Sequence, residues 1–121
     1  MSLDISLNQD AKYNTEVYTA NITHNLRKMA GKVTCFIIQW KDYETKEITL
    51  YDILWRGSGQ SGYVIAPMLE IGLYELKEHR EIYEEYNPEN GWGDYELLVK
   101  FTQELLFACK EFPETTLRCY A

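Results

Sequence analysis

A glycine-rich segment is the first place in this sequence where residue types and spacing suggest chemistry. Gly57, Gly59 and Gly62 follow the spacing Gly-x-Gly-x-x-Gly, and Arg56 stands directly before them. In dinucleotide-binding proteins such a loop opens a helix whose N-terminal amides hold a phosphate. The context argues against that site, because a Rossmann unit needs several parallel strands and fewer than 60 residues follow Gly62. The alternative is a flexible connector.

The histidines and cysteines are the next candidates for chemistry. General acid–base catalysis would place His24 or His79 beside a nucleophile or a carboxylate in a cleft. The spacing of these residues implies no such arrangement, and a capping or surface role fits each histidine. The three cysteines form no C-x-x-C pair and match no zinc-ligand spacing. We therefore predict no catalytic residue, no metal site, no cofactor, and free thiols in a reducing compartment.

The segment Asn87–Asp94, NPENGWGD, has the most unusual local chemistry. Asn90-Gly91 favours a turn with positive φ, Gly93 allows a close backbone approach, and Trp92 lies between the two glycines. Trp92 and Asn90 are candidates for a contact with a ligand or partner, since tryptophan is enriched in interface hot spots. The alternative interpretation packs Trp92 into the corner between two helices and the sheet. The large apolar area of the indole favours this structural interpretation.

Alternation with period 2 and β-branched content predict the strands that position these residues. The first two strands should form a hairpin through the turn residues Asn8–Asp10, and the charged span 41–46 should join the next two. Residues 51–55 stay open between strand and helix, because short apolar runs fit both. The predicted strands are Leu3–Leu7, Glu16–Ile22, Val33–Ile38, Glu47–Leu50 and Thr116–Tyr120.

Helical signals predict a short helix and a long one before the NPENGWGD segment. Thr23 is placed to cap the short helix, which runs to about Ala30. The long helix follows Gly62 and continues, intact or broken, to Tyr83, before the Asn-Pro pair at 87–88 stops it. Its apolar residues recur along one face and should be buried. They are Ile65, Leu69, Leu73 and Leu76.

A final helix is predicted to begin near Asp94 and to end before Pro113. Trp40 and Trp55 are either core or contact residues. Together the elements predict one α+β domain. Its sheet is small and mainly antiparallel, built from the N-terminal hairpin and the C-terminal strand, with or without a 33–50 hairpin, and two longer helices cover one face. The predicted buried residues of the final helix are Tyr95, Leu98, Phe101, Leu105 and Cys109.

Several segments resemble an uncharacterised family of small bacterial and phage proteins. The matching residues are Tyr18–Leu26 (YTANITHNL), Lys28–Ala30, Leu54–Arg56, Asn87–Glu96 (NPENGWGDYE), Leu98-Val99, Phe101 and Ala108–Pro113. Relative to this family, residues 33–50 look like an insertion. The family has no established activity, so the resemblance implies a free-standing, single-domain intracellular protein of phage or mobile-element origin and implies no chemistry.

The net charge of −7 lies in one half of the chain. Residues 1–56 contain seven acids and seven bases, whereas residues 57–121 contain twelve acids and five bases. Repulsion between these acids and phosphates makes that half a poor surface for nucleic acid or anionic membrane. A surface for a basic protein is one interpretation of the acids, but solvated helix faces are favoured, because glutamate is a good residue for a helix surface. No apolar stretch approaches the roughly 20 residues that span a bilayer, and no secretory signal is visible, so we expect a cytoplasmic protein.

Three functions stay open. The leading prediction is a non-enzymatic interaction or accessory protein that binds a protein partner or another copy of itself, and that contacts neither nucleic acid nor membrane. The second is a binder of a nucleotide-type molecule, or an enzyme, that uses the Gly57–Gly62 loop with His24 or Arg56. The third is an acidic mimic of nucleic acid, which the scatter of the helix glutamates disfavours. The candidate contact residues are Trp92, Asn90, His24, Arg56, Gly57, Gly59 and Gly62.

Overall fold

The computed structural model describes residues 2–9, 15–39 and 45–120. The predicted turn Asn8–Asp10 is wrong for Asn8 and Gln9, because they pair with Glu16 and Thr15 and so extend the strands of the hairpin. The predicted turn 41–46 is likewise wrong for its last two residues, which lie in a strand. Asp10, Trp40 and residues 41–44 lie outside the described residues. The described strands are β1 (Ser2–Gln9), β2 (Thr15–Thr23), β3 (Thr34–Gln39), β4 (Thr45–Thr49) and β5 (Thr116–Tyr120). They form two antiparallel sheets, a three-stranded one in the order β2-β1-β5 and a hairpin of β3 and β4. The predicted N-terminal hairpin and C-terminal strand are therefore confirmed. The 33–50 hairpin, which the sequence left open, is formed, but as a separate two-stranded sheet.

Strand β1 lies at the centre of the three-stranded sheet. Its alternate residues Leu3, Ile5 and Leu7 are buried, because a pleat of period 2 directs all three to the same face. Along one edge, β1 pairs with β5, and Asp4 lies opposite Tyr120 in this register. Strands from opposite ends of the sequence thus share one sheet.

The described helices are α1 (Arg27–Ala30), α2 (Leu50–Arg56), α3 (Gly62–Glu78), α4 (Arg80–Glu84) and α5 (Tyr95–Glu111). A 3₁₀ turn, His24–Leu26, precedes α1, and the Thr23 hydroxyl caps it by accepting a hydrogen bond from the Asn25 amide. Residues 51–55, which the sequence left open between strand and helix, form part of the helix α2. A capping box decides this: the Thr49 hydroxyl accepts from the Asp52 amide, and the Asp52 carboxylate accepts from the Thr49 amide at 2.9 Å.

The two long helices, α3 and α5, pack against each other and supply much of the core. All five residues predicted to be buried on α5 are buried, and so are Ile65, Leu69 and Leu76 on α3, while Leu73 is partly buried. The second predicted helix is broken at His79, after which α4 carries the buried Tyr83. No helix in the described part of the chain is long and apolar enough to span a bilayer.

The described residues of the segment 33–50 contribute to this core. Three of them are buried in the same cluster as residues of the three-stranded sheet. They are Val33, directly before β3, Cys35 of β3 and Leu50 at the start of α2. Gly72 of α3 faces them, since a Cβ at this position would lie within 3.7 Å of atoms of all three side chains. The hairpin therefore packs on α3 as part of the domain.

Candidate functional site

The glycine-rich loop Gly57–Ser61 lies along the outer edge of β5. The Gly59 amide donates to the Leu117 carbonyl at 2.8 Å, and the Leu117 amide returns a hydrogen bond of 2.8 Å to the loop. The Gly62 amide donates to the Thr115 carbonyl, also at 2.8 Å. The loop thus pairs with β5 almost as a fourth strand would. It connects α2 to α3, as the connector interpretation predicts, but the hydrogen bonds hold it in place instead of leaving it flexible.

The same hydrogen bonds remove the donors that a phosphate would need. Beyond Gly62, the Tyr63 amide donates to the Pro113 carbonyl at 2.9 Å, and the Val64 amide donates to the Ser61 hydroxyl at 3.2 Å. An anion site at a helix N-terminus depends on amides without partners inside the protein. The first three amides of α3 all have partners, so this geometry disfavours a dinucleotide loop.

His24 has a structural partner. Its Nδ1 atom accepts a hydrogen bond from the indole Nε1 of Trp55 at 2.9 Å. The Trp55 ring in turn stacks on Tyr51, with a centroid distance of 5.7 Å and an interplanar angle of 16°. Arg56 lies at the exposed end of α2 and lines a groove together with Gly57. His24 does not line that groove, so the two residues that were candidates to assist the loop are not brought to one site.

Burial of the cysteines disfavours the thiolate form that a cysteine nucleophile needs. Burial raises the pKa of the Cys35 and Cys109 thiols from 9.0 to about 12, and it raises the pKa of Cys119 as well. A thiol reacts as a nucleophile through its thiolate, which is scarce at neutral pH when the pKa is raised in this way. In residues 2–9, 15–39 and 45–120, no group of three or more histidines, cysteines or acids is placed to hold a metal ion.

The two segments that stand out most in the sequence, YTANITHNL and NPENGWGDYE, meet in the structure. Gly93 packs so closely on the end of β2 that an ideal Cβ at Gly93 would be 2.7 Å from Cγ2 of Thr23 and 3.2 Å from Cγ of Leu26. Gly93 has φ +97°, a conformation that side-chain-bearing residues rarely adopt. Glycine is therefore required here both for its backbone conformation and for its lack of a side chain.

Hydrogen bonds fix the loop on both sides of Trp92. Before it, the Asn90 side-chain oxygen accepts from the Trp92 amide at 3.0 Å. After it, the Asn87 side-chain oxygen accepts from the Tyr95 amide at 2.7 Å, and Asp94 caps α5 by accepting from the Leu97 amide at 2.9 Å. The backbone around the indole is thus held by side chains of the loop itself.

The interpretation of Trp92 as a core residue is wrong, because 69% of the residue is exposed. The corner it was expected to fill is occupied by other groups. Gly93 closes against Thr23 and Leu26, and the buried aromatic of the segment is Tyr95, whose hydroxyl donates to the Leu76 carbonyl at 2.7 Å.

Trp92 borders an open cavity of about 560 Å³, which we call the Trp92 groove. Its described lining residues are uncharged and, apart from the indole, polar, and they bring Asn90 together with residues that the sequence did not mark as contact candidates. Of the seven candidates, only Trp92 and Asn90 lie here. The alternation of the polar Asn21 and Thr23 with apolar residues at the end of β2 was a sequence signal for two of the others. The lining residues are Ser2, Asn21, Thr23, Asn25, Asn90 and Trp92.

Comparisons with protein-family models, with curated proteins and with solved structures find no match to this chain.

Proposed function

We propose that this chain is a non-enzymatic interaction protein of the cytoplasm, which binds a protein partner through the Trp92 groove. The observation behind the proposal is the 69% exposure of Trp92 on a loop that hydrogen bonds hold on both sides. A large aromatic presented on a fixed backbone loses little conformational freedom on binding, which favours affinity. Exposed tryptophans that enter a partner's pocket are frequent hot spots of interfaces.

The other contacts of the described residues support a binding role over the alternatives. The raised pKa of the Cys35 and Cys109 thiols disfavours a cysteine nucleophile. The amides of the glycine loop are paired with β5, which disfavours a nucleotide ligand at that loop. Among the helix acids, Glu70 is paired with Lys110 at 3.5 Å. Glu84 is paired with Arg80. Acids neutralised in this way are poor substitutes for the continuous phosphates that a nucleic-acid mimic must reproduce.

Affinity capture with matched variants tests this proposal. The immobilised proteins are the wild type, Trp92→Ala and the control Tyr63→Ala, which removes a 75% exposed aromatic that does not line the groove. We expect a set of partners that the wild type and Tyr63→Ala retain and that Trp92→Ala loses. Because the groove lining is neutral, retention should survive about 0.5 M salt, where attraction between surface charges is strongly screened.

Two results would overturn the proposal. The first is equal capture by the wild type and Trp92→Ala, which would place the partner elsewhere. The second is the capture of nucleic-acid-binding proteins that elute together as salt rises, which would favour the acidic mimic instead.

A further inference from the structure

A second groove, separate from the Trp92 groove, lies between the β3–β4 hairpin, α2 and α3. Its volume is about 570 Å³, which is within the usual range of about 300–1,000 Å³ for small-molecule sites. Ile53 and Ile65, both buried, contribute to it, while Phe36 and Val64 on its walls are 48% and 46% exposed. The apolar lining consists of Phe36, Ile48, Ile53, Val64, Ile65 and Met68. We call this cavity the hairpin groove.

Two cations line the hairpin groove, in a protein whose net charge is −7. They are Lys46 and Arg56. Within the described residues, neither forms an ion pair. The acid among the described lining residues is Asp52, and its carboxylate is already committed to the amide and hydroxyl of Thr49 in the capping box. Within the described residues, the groove therefore combines apolar walls with two cations that form no ion pair and with one carboxylate, that of Asp52, which is hydrogen-bonded in the capping box.

We propose that the hairpin groove binds a small carboxylate with an aliphatic tail. The tail would cover the partly exposed Phe36 and Val64 and the buried floor, and this removal of apolar surface from water favours binding. The carboxylate would pair with Arg56, whose planar guanidinium can donate two parallel hydrogen bonds, and with Lys46. Such a ligand uses both features of the groove, whereas a neutral or cationic one uses only the walls. This inference is independent of the partner at Trp92.

The ligand test compares decanoate with decanol and decylamine, each kept below its micelle-forming concentration, and with acetate. A ligand that binds only the folded protein raises the melting temperature, and at a given concentration the rise grows with the logarithm of its affinity. We expect decanoate to raise it, decanol to raise it less, and decylamine and acetate to leave it unchanged. Isothermal titration calorimetry then gives the affinity for decanoate.

Charge-reversal variants test the cations. Arg56→Glu and Lys46→Glu should each weaken decanoate binding at least tenfold. Lys100→Glu is the matched control, since it makes the same charge change at an exposed position on α5 outside the groove. It should leave the affinity for decanoate within twofold of the wild type, because exposed charges outside the site are screened by salt.

A second pair of variants tests the apolar wall. Val64→Asp and Tyr63→Asp both add an acid to the first turn of α3, where the helix dipole favours a negative charge, so both should fold. Only Val64 lines the groove. We expect Val64→Asp to weaken decanoate binding at least tenfold and Tyr63→Asp to leave it unchanged.

Three outcomes overturn the proposal. Equal shifts with decanoate and decylamine would mean that the tail alone adheres to the surface. An unchanged melting temperature with decanoate would exclude the ligand class. A concentration-dependent dimer that Val64→Asp dissociates would show that a second copy of the chain occupies the groove.

Discussion

Cys35 and Gly72 occupy adjoining space so tightly that an ideal Cβ at Gly72 would lie 2.6 Å from the Cys35 sulfur. Gly72 is inside α3, where glycine costs about 1 kcal/mol relative to alanine. We expect Gly72→Ala to destabilise the wild type by about 1–3 kcal/mol through overpacking. In a Cys35→Ala background, the same change should stabilise the protein by up to about 1 kcal/mol.

Urea denaturation of the four proteins of this double-mutant cycle measures the coupling between the two positions. Equal effects of Gly72→Ala in both backgrounds would show that the contact with the sulfur does not set the cost.

Gly59 and Gly93 have the same backbone φ angle but different surroundings, so substitutions at the two positions separate the cost of φ from the cost of a steric conflict. Both have φ +97°, but a Cβ at Gly59 would meet nothing within 4 Å, whereas one at Gly93 would be 2.7 Å from Thr23. We expect Gly59→Ala to cost about 1–2 kcal/mol for the left-handed conformation. Gly93→Ala should cost at least about 1 kcal/mol more because of the steric conflict. Thermal and urea unfolding measure both, and similar losses would contradict the close packing of Gly93.

Trp92 and Tyr95 should respond to mutation in opposite ways, although they lie three residues apart. Trp92→Ala should change the free energy of unfolding by less than about 1 kcal/mol, as is usual for exposed side chains. Tyr95→Phe deletes only the buried hydroxyl that donates to Leu76 and should cost about 1–3 kcal/mol. Urea melts of the two variants decide the matter. A loss of several kcal/mol for Trp92→Ala would restore the core interpretation of the indole.

Stability should fall at alkaline pH because of the buried thiols. In the folded protein the pKa of Cys35 and Cys109 is raised from 9.0 to about 12, so the unfolded chain releases these protons first. Their stabilisation is complete below about pH 9 and is lost as pH rises toward 12, at about 1.4 kcal/mol per pH unit for each thiol. Urea unfolding between pH 9 and 10 should show this slope.

The matched control for the pH experiment is a protein with both thiols removed, Cys35→Ala with Cys109→Ala. Its stability should depend less steeply on pH over the same interval, because two of the groups that release protons on unfolding are gone. An identical slope in the two proteins would assign the alkaline effect to other groups, such as Tyr83, whose pKa burial also raises.

Nucleotides at millimolar concentration should leave the melting temperature unchanged. The amides of Gly59 and Gly62 that a phosphate would use are paired with Leu117 and Thr115. Binding at one hundred times Kd would stabilise the native state by about 2.7 kcal/mol, which a thermal melt detects easily. An upward shift with ATP or NAD that disappears in Gly59→Val would show that the loop rearranges to bind phosphate.

The accuracy of the sequence-based predictions depended on how local each signal is. All five residues predicted to be buried on α5 are buried, because their stripe follows from a repeat within one helix. Thr102, Leu106 and Ala108 are buried as well and widen that face beyond the predicted stripe. Residues 51–55 were ambiguous by hydropathy, but the capping pair Thr49 and Asp52 was visible in the sequence as Thr-x-x-Asp and would have identified the helix start.

Two of the incorrect expectations concern contacts between distant parts of the chain. The glycine loop is fixed by pairing with β5, more than fifty residues away, so its composition alone suggested flexibility. Trp92 is exposed on a loop whose next residue, Gly93, packs on Thr23, a contact across seventy residues of sequence. The large apolar area of an indole indicates that it will be covered by something, but it does not distinguish the protein's own core from a partner.

The central position of β1 has a consequence for the newly made chain. Asp4 is paired with Tyr120, so the edge of β1 that pairs with β5 has no partner strand until almost all the other residues of this sequence have been synthesised. At about 5–20 residues per second, that interval is roughly 6–23 s. During it, an apolar strand holding Leu3, Ile5 and Leu7 has an open edge of the kind that pairs with neighbouring chains. The period on the ribosome is therefore when this protein is most exposed to misassembly and has most to gain from a chaperone.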